Sequence, residues 1–288
     1  MNNNIIKLKY KLIIPALILL FAVILFPLAY SLFISFFDYT LVHPTFEDFL
    51  FLENYLKAFQ DTYFWNSVFV TLIFTIGVVL LEFIIGFILA YYLNKDVKYK
   101  NVFFSILIIP MLMTPVAVGL IWRMILHPQQ GILNYLLGLV GIPAFAWLGN
   151  KYLALPTVML VDIWHQVPFM MLLMLAGLVS LPKRPYEAAK IDGASRLQMF
   201  RYITLPLMKP TIIVAVLIRT IIAFRTYDLV YIMTKGGPGV RTDILSYYIY
   251  KRAFAFMDIG FASALSYILL LFVGFVSIFF IRATLSQD

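Results

Sequence analysis

Six apolar stretches, each long enough to cross a bilayer, limit what this chain can fold into. They run from about Leu12 to Phe37, Ser67 to Tyr92, Phe103 to Leu126, Leu153 to Ser180, Pro210 to Met233 and Gly260 to Ile281. A transmembrane helix needs about 20 mostly apolar residues to traverse roughly 30 Å of hydrocarbon. The pattern therefore predicts an all-α, polytopic membrane protein with six transmembrane helices. Composition agrees: 63% of the 288 residues are hydrophobic and 12% are charged, whereas charged residues make up about a quarter of a soluble domain. The first stretch follows Lys7, Lys9 and Lys11, as a signal peptide would. It exceeds the usual apolar region of about 7–15 residues, and five more stretches follow it, so it reads as a retained span. The chain has no cysteine, which excludes disulfides, thiolate metal sites and cysteine nucleophiles.

Basic residues orient the spans, because cytoplasmic loops are enriched in Lys and Arg. The N-terminus (Lys7, Lys9, Lys11), the 93–102 loop (Lys95, Lys98, Lys100), the 181–209 loop (Lys183, Arg184, Lys190, Arg196, Arg201, Lys209) and the C-terminus (Arg282) hold thirteen. The alternate loops hold six: Lys57, Lys151, Lys235, Arg241, Lys251 and Arg252. Both termini are expected in the cytoplasm, with Asp38, Glu47, Asp48, Glu53 and Asp61 outside. With Asp96, Glu187, Asp192 and Asp288 counted, the cytoplasmic segments sum to +9 and the outer ones to −1, which accounts for the formal charge of +8. The basic balance thus records orientation and gives no support to a nucleic-acid partner. In the last outer loop, Ile244 to Phe256 is predicted as an interfacial helix, with Lys251 and Arg252 snorkelling towards the headgroups.

The 181–209 loop is too organised to be a connector. Pro185 suits a first helical turn, Glu187 lies near the positive end of that helix, and Ala188, Ala189 and Lys190 favour helix. Asp192-Gly193 breaks it. Ala194 to Ile203 resumes as a second short helix, and Pro206 is expected to end that element before span five. Two helices about a Gly turn form a projecting docking knob.

Glu187-Ala188-Ala189, then Gly193, Ile203 and Leu205-Pro206, resemble the cytoplasmic loop signature of permease subunits in binding-protein-dependent ABC importers. A second stretch, Thr234 to Gly239 with Thr242, Tyr250, Ala253-Phe254 and Gly260 to Ser266, is similar to the carbohydrate-uptake branch, in which two related permeases pair. The resemblance implies a type I ABC importer permease fold. Residues 1–11 would be a cytoplasmic tail, 12–282 the six-span domain with 181–209 as its coupling loop, and 283–288 a second cytoplasmic tail. It also implies a cell-membrane location and several partners: a second related permease, a cytoplasmic ABC ATPase dimer, an extracytoplasmic substrate-binding protein, a sugar substrate and membrane lipids. No cofactor is expected on this chain, because ATP and Mg are used by the partner ATPase. By the same resemblance, Glu187, Ala188, Ala189, Asp192, Gly193, Ile203, Leu205 and Pro206 couple to that ATPase. Gly193 allows the turn, Glu187 supplies a polar contact, and the two alanines permit close packing.

Ionisable residues within spans are costly and face a bundle interior or a watery cavity. Asp162, His165, Gln166 and Phe169 stand at i, i+3, i+4 and i+7, so one face of span four presents an acid, an imidazole, an amide and a ring. That combination suits a sugar. In maltose-type relatives the matching face, before a Pro such as Pro168, lines the sugar site, and the outer half of span five with Arg225, Thr226 and Asp228 faces the same pathway. The plainer reading is an internal ion pair between Arg225 and Asp162 or Asp228. Glu82 and Arg123 read as interhelical or interfacial. Pro110 and Pro115 should kink span three, and Gly260 with Ala264 reads as a helix-packing pair. His43, His127 and His165 are too scattered for a metal site, and no phosphate loop is present for ATP hydrolysis. The alternative function is an ion-gradient-driven secondary transporter, with Asp162, His165 and Glu82 carrying protons.

Overall fold

The computed structural model describes residues 13–95 and 98–285, with side chains described through Arg282. Lys7, Lys9, Lys11, Asp96 and Asp288, on which part of the expected topology rests, lie outside the described residues, as do the tails 1–11 and 286–288. The secondary structure described is helical, apart from two isolated backbone bridges, Phe37 with Phe49 and Thr40 with Asp258. The helices are α1 (Ile13–Ile34), α2 (Glu53–Gln60), α3 (Thr62–Leu93), α4 (Lys100–Leu112), α5 (Pro115–Ile125), α6 (Ile132–Leu139), α7 (Ala154–Val179), α8 (Arg184–Ile191), α9 (Arg196–Met199), α10 (Leu205–Arg225), α11 (Asp228–Met233), α12 (Leu245–Tyr250) and α13 (Ile259–Leu285). Five helical runs are long and apolar enough to cross a membrane, or six if the bent pair α4 and α5 counts as one.

The kink expected in span three is present at Pro115 and is sharp enough to break the helix. The span is two helices meeting at 97°, each too short to cross alone. Met113 and Thr114 are both extended, with ψ of 148° and 143°. The residue before a proline is driven out of helical conformation, and Pro115 then opens α5 at the position proline favours. Pro110 lies inside α4 and does not end it. Span five differs from expectation: α10 stops at Arg225, Thr226 is extended at ψ 119°, and α11 begins at Asp228. Pro206 does not end the second loop helix as expected. The run is continuous from α9 through a π-helical turn at Phe200–Thr204 into α10. The N–H of Leu205 bonds back to the Phe200 carbonyl, and this wider turn takes up the proline that a regular α-turn would exclude.

The chain forms two compact units: the segment up to Phe64 with Tyr248–Leu271, and Trp65–Tyr247 with the segment from Phe272 onward. In the first, Asn54 donates from Nδ2 to the carbonyls of Ser35 and Phe37, both at 3.0 Å, and so pins the chain just after α1. Asp61 accepts from the Tyr248 hydroxyl and from Arg252 at 3.2 Å, and Arg252 lies 5.0 Å from the Phe261 ring. Burial, and then the Asp61 carboxylate, pushes the Tyr248 phenol above its usual range, which keeps it the donor to Asp61. The helix expected near 244–256 is present as α12 and its π-helical continuation Lys251–Ala255, and Arg252 is paired with Asp61. Gly260 packs against backbone rather than another helix. Its N–H donates to the Tyr39 carbonyl at 2.8 Å, and a Cβ there would collide with the Phe37 carbonyl oxygen. Gly260→Ala should therefore destabilise the protein by about 1–3 kcal/mol, read as a lower thermal midpoint of the purified protein.

The second unit is organised around α7. Half of its most apolar window is buried. Met170, Met171, Met174 and Leu178 of α7 pack with Phe87, Ala90 and Leu93 of α3 and with Met208 and Ala215 of α10. Gly86 permits this approach, since a Cβ there would lie 2.9 Å from the Met171 backbone nitrogen.

Candidate functional site: an ionic cluster, a cavity and a projecting loop

Glu82 on α3, Asp162 on α7 and Arg219 on α10 meet in the interior of the second unit. Arg219 donates to Glu82 through Nε at 2.5 Å and Nη2 at 2.8 Å, and through Nη2 to Asp162. Arg219 and Glu82 are fully buried, and Asp162 is 2% exposed. The structure thus corrects the expected pairing of Arg225 with Asp162: Arg219 holds that carboxylate, from within the packed interior where a charge cannot be solvated by water. Arg225 is exposed, and no described residue forms an ion pair or side-chain hydrogen bond with it. The Glu82–Arg219 link was not read from the sequence. The available signal was that each is a lone charge deep in an apolar span and requires a partner of opposite sign.

Asp162 also borders a cavity of about 350 Å³, lined further by Pro115, His165, Gln166, Arg225, Thr226 and Asp228. Both chain breaks supply this site. Met113 ends α4 with a carbonyl free of the helix ladder, and His165 Nε2 lies 3.1 Å from it; His165 Nδ1 lies 3.1 Å from Gln166 Nε2. The two contacts fit one tautomer, in which Nε2–H donates to Met113 and Nδ1 accepts from the amide. Thr226 sits in the break between α10 and α11, and its carbonyl accepts from Ser246 Oγ at 2.6 Å. Beyond the cavity, α5 lies on α11: Gly119 leaves room for Ile232, whose carbonyl accepts from Arg123 at 3.2 Å. Phe169 is not brought to the cavity. It is half-buried one turn further along α7, past Pro168. The cavity offers amide, hydroxyl, imidazole and guanidinium groups of both hydrogen-bonding senses, which suits a polyhydroxylated ligand.

The projecting loop is built as two helices about a left-handed residue. Gly193 has φ +77°. The Ala194 N–H reaches the Ala189 carbonyl at 2.9 Å, and the Gly193 N–H reaches Lys190 at 3.2 Å. This is the double cap that terminates a helix through glycine. Asp192 closes α8, and Ser195 with Gln198 caps α9 reciprocally at 3.3 and 2.7 Å. Glu187, Ala188 and Ala189 lie on α8, which has no buried residue, while Ile203 lies in the π-helical turn and Leu205 and Pro206 open α10. The knob is tied to the spans by Tyr186 and Thr204, which the sequence did not single out, and by Phe200 on the face of the second loop helix. Tyr186 donates to Thr204 at 3.0 Å, and Phe200 packs edge-on against Phe87 and Tyr91.

Residues 82–288 match the family described as the binding-protein-dependent transport system inner membrane component. The chain belongs to this family. It is an ABC importer permease, a membrane protein and a transport component. The permease is 37% identical over 261 residues to the trehalose/maltose transport system permease protein MalF of Thermococcus litoralis, covering 90% of this chain and 88% of that one. It is 35% identical over 277 residues to the sulfoquinovosyl glycerol transport system permease protein SmoG of Agrobacterium fabrum, covering 96% and 90%. Among solved structures, a chain of a bacterial ABC transporter involved in the import of the acidic polysaccharide alginate superposes with a TM-score of 0.87 at 22% identity, covering 98% of this chain and 96% of that one. That likeness establishes the fold of the permease.

Proposed function

We propose that this permease imports a sugar or related polyol, forming half of a pathway with a second, related permease. In this reading both termini and the 181–209 loop are cytoplasmic, six spans cross the membrane, and α4 with α5 forms the third as a broken span. A partner ATPase dimer binds ATP and Mg, an extracytoplasmic binding protein delivers the ligand, and this chain carries no catalytic group of its own. The observation that carries the reading is the knob. Helix α8 has eight residues, none of them buried, and so short a helix is marginal in water. Its flank nevertheless presents Ile191 and Leu197 at 87% and 74% exposure. Exposed apolar side chains on either side of the turn in a charged loop support its use as a docking surface. Closure of the ATPase on it would act on α10 through the unbroken helical run from α9, and on α3 through Phe200. Glu187, Ala188, Ala189, Asp192 and Gly193 form the contact face; Ile203, Leu205 and Pro206 carry the movement into the span.

The names of the relatives support the substrate class, as does the cavity chemistry. Gln166, His165, Thr226, Arg225 and the free edge of Asp162 line the pathway, and Phe169 lies outside this half of it. Gln166→Ala removes the amide that faces the cavity and holds His165. It is expected to raise the substrate concentration for half-maximal uptake by about tenfold, the value of one lost hydrogen bond of roughly 1–1.5 kcal/mol, with maximal ATPase rate retained. The whole reading is tested by reconstitution. The chain with its second permease, ATPase and binding protein should take up labelled sugar only with ATP, and the chain alone should be inert under an imposed proton or sodium gradient. Gradient-driven uptake by the chain alone would overturn it.

A further inference from the structure

The second unit contains another, larger opening that the pathway does not use. It is a cleft of about 740 Å³ between the end of α3, the turn after α7, the inner side of α8 and the start of α9. Four cations converge on it from four segments: Lys95, Lys183, Lys190 and Arg196. Among the described residues none of them forms an ion pair, and Glu187, which shares the cleft, lies beyond ion-pair distance of each. Lys95 rests on the Tyr91 ring at 4.8 Å. The rest of the wall is mixed: Asn94, Tyr186 and Thr204 are polar, and an apolar stretch of Leu178, Val179, Leu181, Met199 and Phe200 continues from the ends of the spans, with Val179 67% exposed.

We infer that this cleft holds an anionic phospholipid, with its phosphate among Lys95, Lys183, Lys190 and Arg196 and an acyl chain along Val179 and Phe200. The amphipathic arrangement selects this occupant. A free phosphate would satisfy the cations and leave the apolar wall wet, whereas a lipid at the membrane boundary satisfies both, and basic pockets between helices on the cytoplasmic side take such headgroups. The inference rests on the cytoplasmic placement of the loop proposed above. The site lies directly behind the knob, so the lipid wedges α8 away from the ends of α3 and α7 and sets the angle at which the ATPase finds it. Coupling then depends on the inner-leaflet lipid.

The test uses the full complex in nanodiscs of phosphatidylcholine alone or with phosphatidylglycerol. Retained lipid is measured by native mass spectrometry, and coupling by the ratio of substrate-stimulated to basal ATPase activity. One bound phosphatidylglycerol and a higher coupling ratio are expected for the natural complex. The Lys183→Gln/Arg196→Gln variant should bind that lipid roughly 30-fold more weakly, given the usual attraction per basic residue near a membrane, and lose the lipid-dependent part of the ratio. Equal lipid retention by variant and natural complex overturns the proposal. So does restoration of coupling in phosphatidylcholine by millimolar inorganic phosphate, which assigns the site to a free anion. Loss of ATPase assembly by the variant in both lipids also overturns it, since an acidic segment of the ATPase is then the occupant. Lipid retention is measured without transport, so an inactive natural complex would count against the functional reading and not against this site.

Discussion

Gly193→Pro is expected to abolish substrate-stimulated ATP hydrolysis and uptake while leaving the protein inserted in the membrane. Gly193 has φ +77°, and proline is locked near −65°. The proline would also remove the N–H that reaches Lys190 and displace the Ala194 bond to Ala189, so the double cap opens and α8 loses its orientation. The same site predicts a mild companion. A Cβ at residue 193 meets no atom within 4 Å, so Gly193→Ala suffers only the left-handed backbone cost of about 1–2 kcal/mol, and Gly193→Asn less. Uptake should rank Gly, Asn, Ala and then Pro, with Pro at the level of an empty membrane. Side-by-side assays of uptake and of basal and stimulated ATPase rates test this ranking. A proline variant with intact stimulation removes Gly193 from the coupling apparatus.

The second large effect is on assembly. Arg219→Met leaves Glu82 and Asp162 facing each other without a cation in the packed interior, and removing one partner of a buried pair costs about 3–5 kcal/mol. The variant should be lost from membranes or melt far below the natural protein. Replacing all three charged residues tests the cause: Glu82→Gln/Asp162→Asn/Arg219→Met removes the orphaned charges and should recover most of the yield, since neutral replacements of a buried ionic cluster are often tolerated. Fluorescence-detected size-exclusion and thermal midpoints of the detergent-solubilised protein measure both. If the single and triple variants are equally unstable, the guanidinium acts by volume and not by charge. Asp162 also borders the cavity, so recovered yield without recovered uptake is the expected pattern for the triple variant.

Much of the fold was legible because the bilayer imposes a simple rule. Runs near 20 apolar residues recur at every predicted span, and five of them match helical runs in the structure, that of span five being interrupted at Thr226. The loop was equally readable: glycine after Asp192 is a local signal whose hydrogen bonds close within a few residues. The polar residues inside the spans were harder. Asp162, His165 and Gln166 were picked out by helical spacing and do share the cavity with Arg225 and Thr226, but the internal pair expected for Arg225, with Asp162 or Asp228, did not anticipate that Asp162 pairs with Arg219. Periodicity shows which face of one helix a residue occupies. It does not show which neighbouring helix lies opposite, or at what depth.

The sequence by itself determined that this chain crosses a membrane several times, that it bears a helix-glycine-helix loop of a transport family, and that its basic residues gather in alternate loops. Those properties follow from composition along short windows and from backbone bonds between near neighbours. Only the tertiary structure decided that span three is two helices at 97°, that the helix from Arg196 runs on past Pro206, and that Glu82, Asp162 and Arg219 form one cluster. Each of these depends on residues between about 50 and 140 positions apart, or on how a bend is accommodated by the helices packed around it. A carboxylate buried in apolar surroundings must find a cation, but which cation it finds is decided by the packing of α3, α7 and α10 around the methionine-rich core.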